Sequence, residues 1–489
     1  MKKLIVFLLC LPVFLPALKS QNAVDALRYS RIFYGGTARF QGLGGAFGAV
    51  GADFSTVAVN PAGIGLFKSS EFTLSPAFWL GHTNSSYNGI SSTDNRADLS
   101  LGDLGLVFSF KTNTKEESAG VKFINIGIGL NRQNDFNNRI YIAGQNNSSS
   151  LLTNWVQILN SQPGVVDGNY INDNFPFDIA PAYNTGLIFY DSTNKVYAND
   201  APKGGVYQQK WISTSGSINE LDFSLGTNIN DMFYIGLTIG VPTLRYYESS
   251  NYQETRTDTA IHYFRQMNYH QMLETHGTGI NLKAGLIYRP ASWVRIGVAV
   301  HTPTYYSNMR DNWNSYVDAQ FDPPLVSNIQ SSPDGVNNYQ MTTPFRAIGS
   351  LAFIISKYGL VSAEYEYVNY NQARISATGE DFSGVTTSIK NDYTSPVIIR
   401  AGTEWRISDF RIRGGFGYSG SPYKSGINTG ERYMASGGIG YRGKHLFADI
   451  SYVWSQMSEN YYLYDMTLVN PATIKYSTHS ATITLGVRF

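Results

Sequence analysis

The chain has 489 residues, 37 lysines and arginines against 36 aspartates and glutamates, and one cysteine. A net charge of +1 leaves no electrostatic footprint for nucleic acid. A mean hydropathy of -0.20, with no apolar run of ~18 residues beyond the N-terminus, excludes a helical membrane protein. It does not exclude a β-barrel, whose strands bury every second residue in lipid, and the 14% aromatic content suits aromatic girdles.

Met1 to Ser20 places Lys2 and Lys3 ahead of an apolar run from Leu4 to Leu18 that is broken by Pro12 and Pro16. This is the pattern of a secretory signal peptide, too short to span a bilayer, with cleavage expected near Ser20 and Gln21. Cys10 lies inside it, so the mature chain has no disulfide or thiolate chemistry.

Residues 21–70 read as a plug. The stretch from Gly42 to Phe67, GLGGAFGAVGADFSTVAVNPAGIGLF, is rich in glycine and contains the turn Asn60-Pro61-Ala62-Gly63. It holds neither a long helix nor a strand, and irregular backbone of this kind has to be enclosed by something else. It lacks GxGxxG spacing and no GxxxxGK[ST] follows, so it is no nucleotide cradle. The candidate gate residues are Phe47, Phe54, Asn60, Pro61, Ala62 and Gly63.

From Glu71 to Phe489 the chain alternates. In the last segment Ala481, Ile483, Leu485, Val487 and Phe489 share one face and Thr482, Thr484 and Arg488 the other. Fourteen such runs start near residues 71, 100, 122, 217, 232, 276, 294, 345, 359, 396, 410, 432, 445 and 479. Each supplies the ~9–11 residues of a tilted transmembrane strand. Tight turns at Asn230-Asp231, Lys357-Tyr358 and Ser408-Asp409 alternate with long polar segments near 248–275, 303–343 and 457–478. Short turns on one side and long loops on the other are the signature of an outer-membrane barrel.

The longest connection, about Arg132 to Ser217, sets Leu151, Leu152, Trp155, Ile158 and Leu159 on one helical stripe. Two readings stay open: a helix that caps the barrel mouth, or an exposed apolar groove on which a ligand lands. His262, His270 and His276 share one expected loop, as solvated side chains or as metal or haem ligands. No HExxH, GxSxG or Ser-His-Asp arrangement exists, so no catalytic residue, metal or cofactor is expected. The inward charges Arg295, Arg400, Arg406, Arg411, Arg413, Glu364, Glu366 and Glu404 are contacts to the plug and lumen water, or else one or two of the arginines meet a substrate carboxylate.

The run QGLGGAFGAVGADFSTVAVNPAG, residues 41–63, resembles the N-terminal hatch signature of the FadL/TodX (OmpP1) family, outer-membrane channels for long-chain fatty acids and other hydrophobic molecules. Asn60, Pro61 and Ala62 match that signature's Asn-Pro-Ala turn. The expected fold is therefore all-β: a fourteen-stranded antiparallel transmembrane β-barrel (71–489) with an N-terminal hatch (21–70) in its lumen, behind a signal peptide (1–20). The resemblance implies passive uptake of a fatty-acid-like molecule across a Gram-negative outer membrane, with a loop groove, a hatch that rearranges, and sideways release at a kink in the third strand. In that strand, Lys122 to Asn131, Gly127 and Gly129 would tolerate a kink. Other expected partners are outer-membrane lipid and the barrel-assembly machinery, met through Phe489; the protein is expected to be a monomer. A haem-uptake barrel and a structural or adhesive barrel are the alternatives.

Overall fold

A computed structural model describes residues 22–112, 120–164, 167–202, 205–257 and 263–489; the expected signal peptide with Cys10, and His262, lie outside them. Before the sheet come two short helices, α1 (Ala23–Ser30) and α2 (Ala38–Gly42), and two tight 3-10 turns, Phe54–Ala58 and Pro61–Leu66. Fourteen antiparallel strands then form a closed barrel: β1 (Glu71–Tyr87), β2 (Ile90–Lys111), β3 (Val121–Asp135), β4 (Val206–Ile229), β5 (Phe233–Arg256), β6 (Phe264–Ala291), β7 (Val294–His301), β8 (Arg346–Ile355), β9 (Gly359–Val368), β10 (Ile398–Ile407), β11 (Phe410–Ser419), β12 (Arg432–Arg442), β13 (Leu446–Tyr461) and β14 (Ala472–Arg488). The seam is made by β14 and β1, paired from Glu71 with Arg488 up to Ser86 with Thr473, which leaves no open edge there.

The alternation in sequence is the alternation in space. On β14 Ile483, Leu485 and Val487 stand exposed on the outer surface, while Thr482 and Thr484 are buried against the interior. Phe78, Leu237, Val298 and Ile412 continue this outward apolar band around the wall, as hydrocarbon contact requires. The turns at one end are short. Asn230, Asp231, Ser356 and Ser408 take positive φ there, the left-handed backbone that Asn and Asp tolerate best among residues with a side chain.

The other end is taller than expected. β4, β5 and β6 run for 24, 24 and 28 residues, so most of the segment 248–275, expected as a loop, is strand. Further strands, Tyr305–Phe321 and Gly335–Thr342, extend the sheet through the region expected as loop 303–343. Above the membrane the outer face of these strands carries mostly Ser, Asn, Gln, Thr and charged residues, so the outward apolar period stops there, while Val317, Ala319 and Phe321 still turn inward. Between β3 and β4 lie three helices, α3 (Leu151–Asn160), α4 (Gly168–Asn174) and α5 (Ile179–Asn184), which pack with the upper wall in one apolar cluster.

Residues 22–70 occupy the lumen and supply its core. Phe40, Leu43, Phe47, Val50 and Val59 pack on Ala299, Ile348, Ala352 and Leu360 of the wall, and Phe54, Val57, Ile64 and Phe67 on Val107.

Candidate ligand cavity and hatch

The hatch begins high in the barrel and descends. Asn22 caps α1, its side chain accepting from the Asp25 amide while Asp25 answers to the Asn22 amide. The helix packs through Tyr29 on Phe136 and Tyr246, and the Tyr29 hydroxyl meets Thr275 Oγ1 at 3.1 Å. Thr37 caps α2. Farther down, the six predicted gate residues are all buried within the hatch. Asn60 is its pivot: the side chain accepts from Ala62 N at 3.1 Å and donates to Gly48 O at 2.6 Å and Leu286 O of β6 at 3.4 Å. Pro61, with φ fixed by its ring, opens the following 3-10 turn. This turn lies so close to the wall that a Cβ at Gly236 or Gly285 would collide with Pro61 or Asn60, which is why both wall positions are glycine.

The inward charges hold this plug. Arg39 of α2 pairs with Glu404 at 3.0 Å; Glu404 also takes Arg413 at 2.8 Å, and Arg413 takes Asp449 at 2.7 Å. Glu364 accepts Gly48 N at 2.8 Å and pairs with Arg400 at 2.6 Å, and Arg400 reaches Glu366 at 2.5 Å. Arg346 pairs with Glu366 and donates to Ser30 O at 2.5 Å; Arg295 donates to Val50 O at 2.6 Å. Of the two readings for these residues, contact with the plug describes Arg295, Glu364, Glu404 and Arg400, whose guanidinium lies over the Tyr34 ring at 5.2 Å, directly, and Arg413 and Glu366 through their partners.

Burial pushes the Asp25 carboxyl from its ordinary 3.8 up to about 7, with Asp311 and Glu248 adding repulsion against the pull of Arg28 at 2.6 Å. A raised carboxyl favours the docked helix while protonated. Docking of α1 is therefore strongest below pH 3.8, weakens as the free state ionises, and levels off above about pH 7. Deuterium uptake of residues 23–30, corrected for intrinsic exchange, should rise across that window, and Asp25→Asn should flatten it. An uptake profile equally flat in the wild type refutes the burial argument.

Beside α1 and the extended segment after it lies a cavity of about 470 Å³. Leu27, Ile32 and Phe33 of the hatch face Trp79, Ile212 and Val453 of the wall across it. Five guanidinium groups interrupt this apolar lining; Arg28, Arg132 and Arg400 are held in ion pairs, and the other two stand apart. Arg31 donates to Gly430 O at 3.2 Å and Met457 Sδ at 3.3 Å, Arg432 lies 4.5 Å from the Phe33 ring centre, and neither makes an ion pair among the described residues. Sequence reasoning missed both. Arg31 sits in the plug beside an aromatic residue, a weak local signal, but Arg432 lies some four hundred residues away and nothing in the sequence joins them.

The third strand is irregular, though not at its glycines. Gly127 and Gly129 sit within an unbroken ladder between β2 and β4, where a Cβ would strike Ile64 or Phe54 of the hatch. Their small size makes room for the plug. One register shift falls at the lower end, between Val121 and Phe123, and a second between Arg132 and Asn134, and pairing with β2 ends at Asp103 and Asn131. Above that point the hatch takes up the vacated edge: Phe33 N donates to Gln133 O at 2.9 Å and Gly35 N to Arg132 O at 2.8 Å. Phe33, Gly35 and Arg132 also line the cavity.

The loop helix α3 turns its stripe inward. Leu151, Leu152, Trp155 and Leu159 are buried, Ile158 is half-buried, and Trp155 meets Tyr269 edge to face at 5.3 Å. Glu254 of β5 accepts the Leu151 amide at 2.8 Å and the Ser150 hydroxyl, pinning the helix start. The stripe offers no exposed apolar surface to an incoming ligand, and the helix has the geometry of a cap. His270 stacks on Tyr316 at 4.2 Å while His276 pairs with Glu274, and no metal-competent group of three ligands exists among the described residues.

Fold and site define a class: an outer-membrane-type β-barrel of fourteen strands, with an N-terminal hatch and a mostly apolar cavity between hatch and wall. No family model matches the sequence, and no curated protein matches it. Among solved structures the chain is similar to a FadL homologue of Pseudomonas aeruginosa, with 11% identity, a TM-score of 0.55, and coverage of 94% of this chain and 99% of that one. It is similar to the toluene transporter TodX of Pseudomonas putida (11% identity, TM-score 0.52, 93% and 98% covered). The toluene transporter TbuX of Ralstonia pickettii is a third (14% identity, TM-score 0.50, 93% and 98% covered). At such identities the likeness is one of fold, and it extends over nearly the whole chain.

Proposed function

We propose that this protein is an outer-membrane channel for passive uptake of amphipathic hydrophobic molecules of the long-chain fatty acid type. The observation that supports this reading best is the cavity beside the hatch, apolar along most of its wall and headed by the unpaired guanidinium groups of Arg31 and Arg432. An alkyl chain gains ~0.8 kcal/mol for each buried methylene, and a guanidinium fork suits a carboxylate head. The ligand leaves when the hatch shifts. Its exit is sideways, through the wall where β3 parts from β2, once Phe33 and Gly35 release the β3 edge at Arg132 and Gln133.

Calorimetric titration of the detergent-purified chain with laurate and with dodecanol tests the reading. Wild type should bind both. Arg31→Gln should weaken laurate by roughly tenfold or more, the worth of one charge-assisted hydrogen bond, and leave dodecanol unchanged. Equal losses for the two ligands would remove the carboxylate from the argument. Binding of neither by the wild type would remove the channel.

A further inference from the structure

At the short-turn end, beneath the hatch, the lumen carries a group of arginines of which only Arg295 bonds the plug, at Val50 O. Arg289 of β6, Arg295 of β7, Arg406 of β10 and Arg411 of β11 take inward positions next to the turns, opposite in parity to the outward Ile296, Trp405 and Ile412. Two carboxylates of this layer are already engaged, Glu404 by Arg39 and Arg413 and Asp449 by Arg413 and Arg442. Arg289, Arg295 and Arg411 make no ion pair among the described residues, and Arg406 comes no nearer to Glu404 than 4.0 Å. Arg411 turns one nitrogen to the carbonyls of Ser408 and Phe410 at 2.8 and 2.7 Å, leaving its other donors to the mouth. Two further donors, Arg295 Nε and Arg413 Nη2, are buried without any partner, although the Arg413 side chain is fully enclosed.

Like charges gathered at one rim repel one another, and Arg295 stands in the fields of Arg289, Arg39 and Arg406 together. An anion among them would relieve that repulsion and satisfy guanidinium donors in the planar, bidentate way they favour. We propose that the short-turn mouth is an oxyanion site, in which Arg406 and Arg411 bind a carboxylate or phosphate group beside Arg295, the residue that holds the hatch at Val50. Two sources offer this chemistry: the head of the transported amphiphile, in which case the site deepens the uptake reading and rests on it, and a phosphate group from the compartment below.

The test uses the full chain in detergent at low ionic strength, titrated with inorganic phosphate and separately with laurate, in wild type, Arg31→Gln and the double variant Arg406→Gln/Arg411→Gln. Both substituted side chains of the double variant lie at the open mouth, and heat-modifiable migration checks that the barrel has formed. Wild type should bind phosphate, the double variant roughly tenfold more weakly or worse, and Arg31→Gln as wild type does. Raising salt to physiological strength should weaken the same binding. Laurate that displaces phosphate from wild type assigns the site to the ligand's carboxylate; phosphate binding that laurate leaves untouched assigns it to phosphate groups. Phosphate that fails to bind wild type, or binds the double variant equally well, overturns the proposal. Loss of laurate binding at the cavity with phosphate binding intact would sink the uptake reading alone.

Discussion

Deleting residues 22–66 turns a closed barrel into an open pore. Among the described residues the only backbone-to-backbone hydrogen bonds from the hatch to the wall are those from Phe33 and Gly35 to β3, and the seam begins at Glu71, beyond the deleted segment. Apart from Arg295, which loses Val50 O, the lumen charges that would lose the hatch keep partners of their own. Glu364 and Glu366 retain Arg400, and Arg413 retains both Glu404 and Asp449. A folded barrel should therefore survive, with glycines such as Gly236 and Gly285 lining a lumen that side chains no longer fill. Single-channel conductance in planar bilayers should rise from closed to stably open, and cells should become sensitive to a large antibiotic. A variant that inserts, stays heat-modifiable and remains as closed as the full chain would place the barrier in the α3–α5 cap and remove the hatch from the gate.

That expectation was legible in the sequence because a glycine-rich stretch with an Asn-Pro turn has few ways to persist except inside an enclosure, and the strands that follow supply one. The strands themselves could be read wherever one face meets hydrocarbon. At the upper ends of β2, β4, β6 and β14 the expected starts at 100, 217, 276 and 479 fall inside strands that begin at Ile90, Val206, Phe264 and Ala472. There the outer face meets water, and the two-residue period loses its apolar half. The helix at Leu151 illustrates a different limit. A stripe of Leu151, Leu152, Trp155 and Leu159 is the same whether it faces out to bind a ligand or in to cover the lumen, and only the packing against Tyr269 and the upper wall distinguishes the two. The break in β3 was misplaced for a related reason. Gly127 and Gly129 look permissive, yet they make room for Phe54 and Ile64, while the upper shift occurs at Arg132 and Asn134, where the hatch backbone substitutes for β2. Nothing local in Arg-Gln-Asn announces that substitution.

Glu404 is the single side chain whose loss should cost most in the lumen. It accepts Arg39 Nε from the hatch at 3.0 Å and Arg413 Nε from the wall at 2.8 Å, and both it and Arg413 are almost wholly enclosed. Replacing it with leucine leaves two guanidinium groups short of charge. Arg39 falls back on the carbonyls of Gly51 and Ala52, at 3.3 and 2.9 Å, and Arg413 on Asp449 alone, with one of its nitrogens already unpartnered. Removing one member of a buried ion pair costs about 3–5 kcal/mol, and the retained Asp449 puts Glu404→Leu near the lower end of that range. Part of the loss is the stranded charge rather than the missing attraction, so Arg39→Met added to Glu404→Leu should restore some of it. The readout is the temperature at which the folded band disappears on heat-modifiable migration, taken with the frequency of opening events in a planar bilayer. Glu404→Leu should lower the first and raise the second, because Arg39 ties α2 to β10 through this carboxylate. The double variant should recover thermal stability while remaining leaky, since its barrel is relieved of a bare charge but its hatch has lost a tether. If Glu404→Leu melts and gates as the wild type does, the ion pairs of the lumen do not hold the plug, and its retention depends on the apolar contacts of Phe40, Phe47 and Phe54 and on the hydrogen bonds of Asn60.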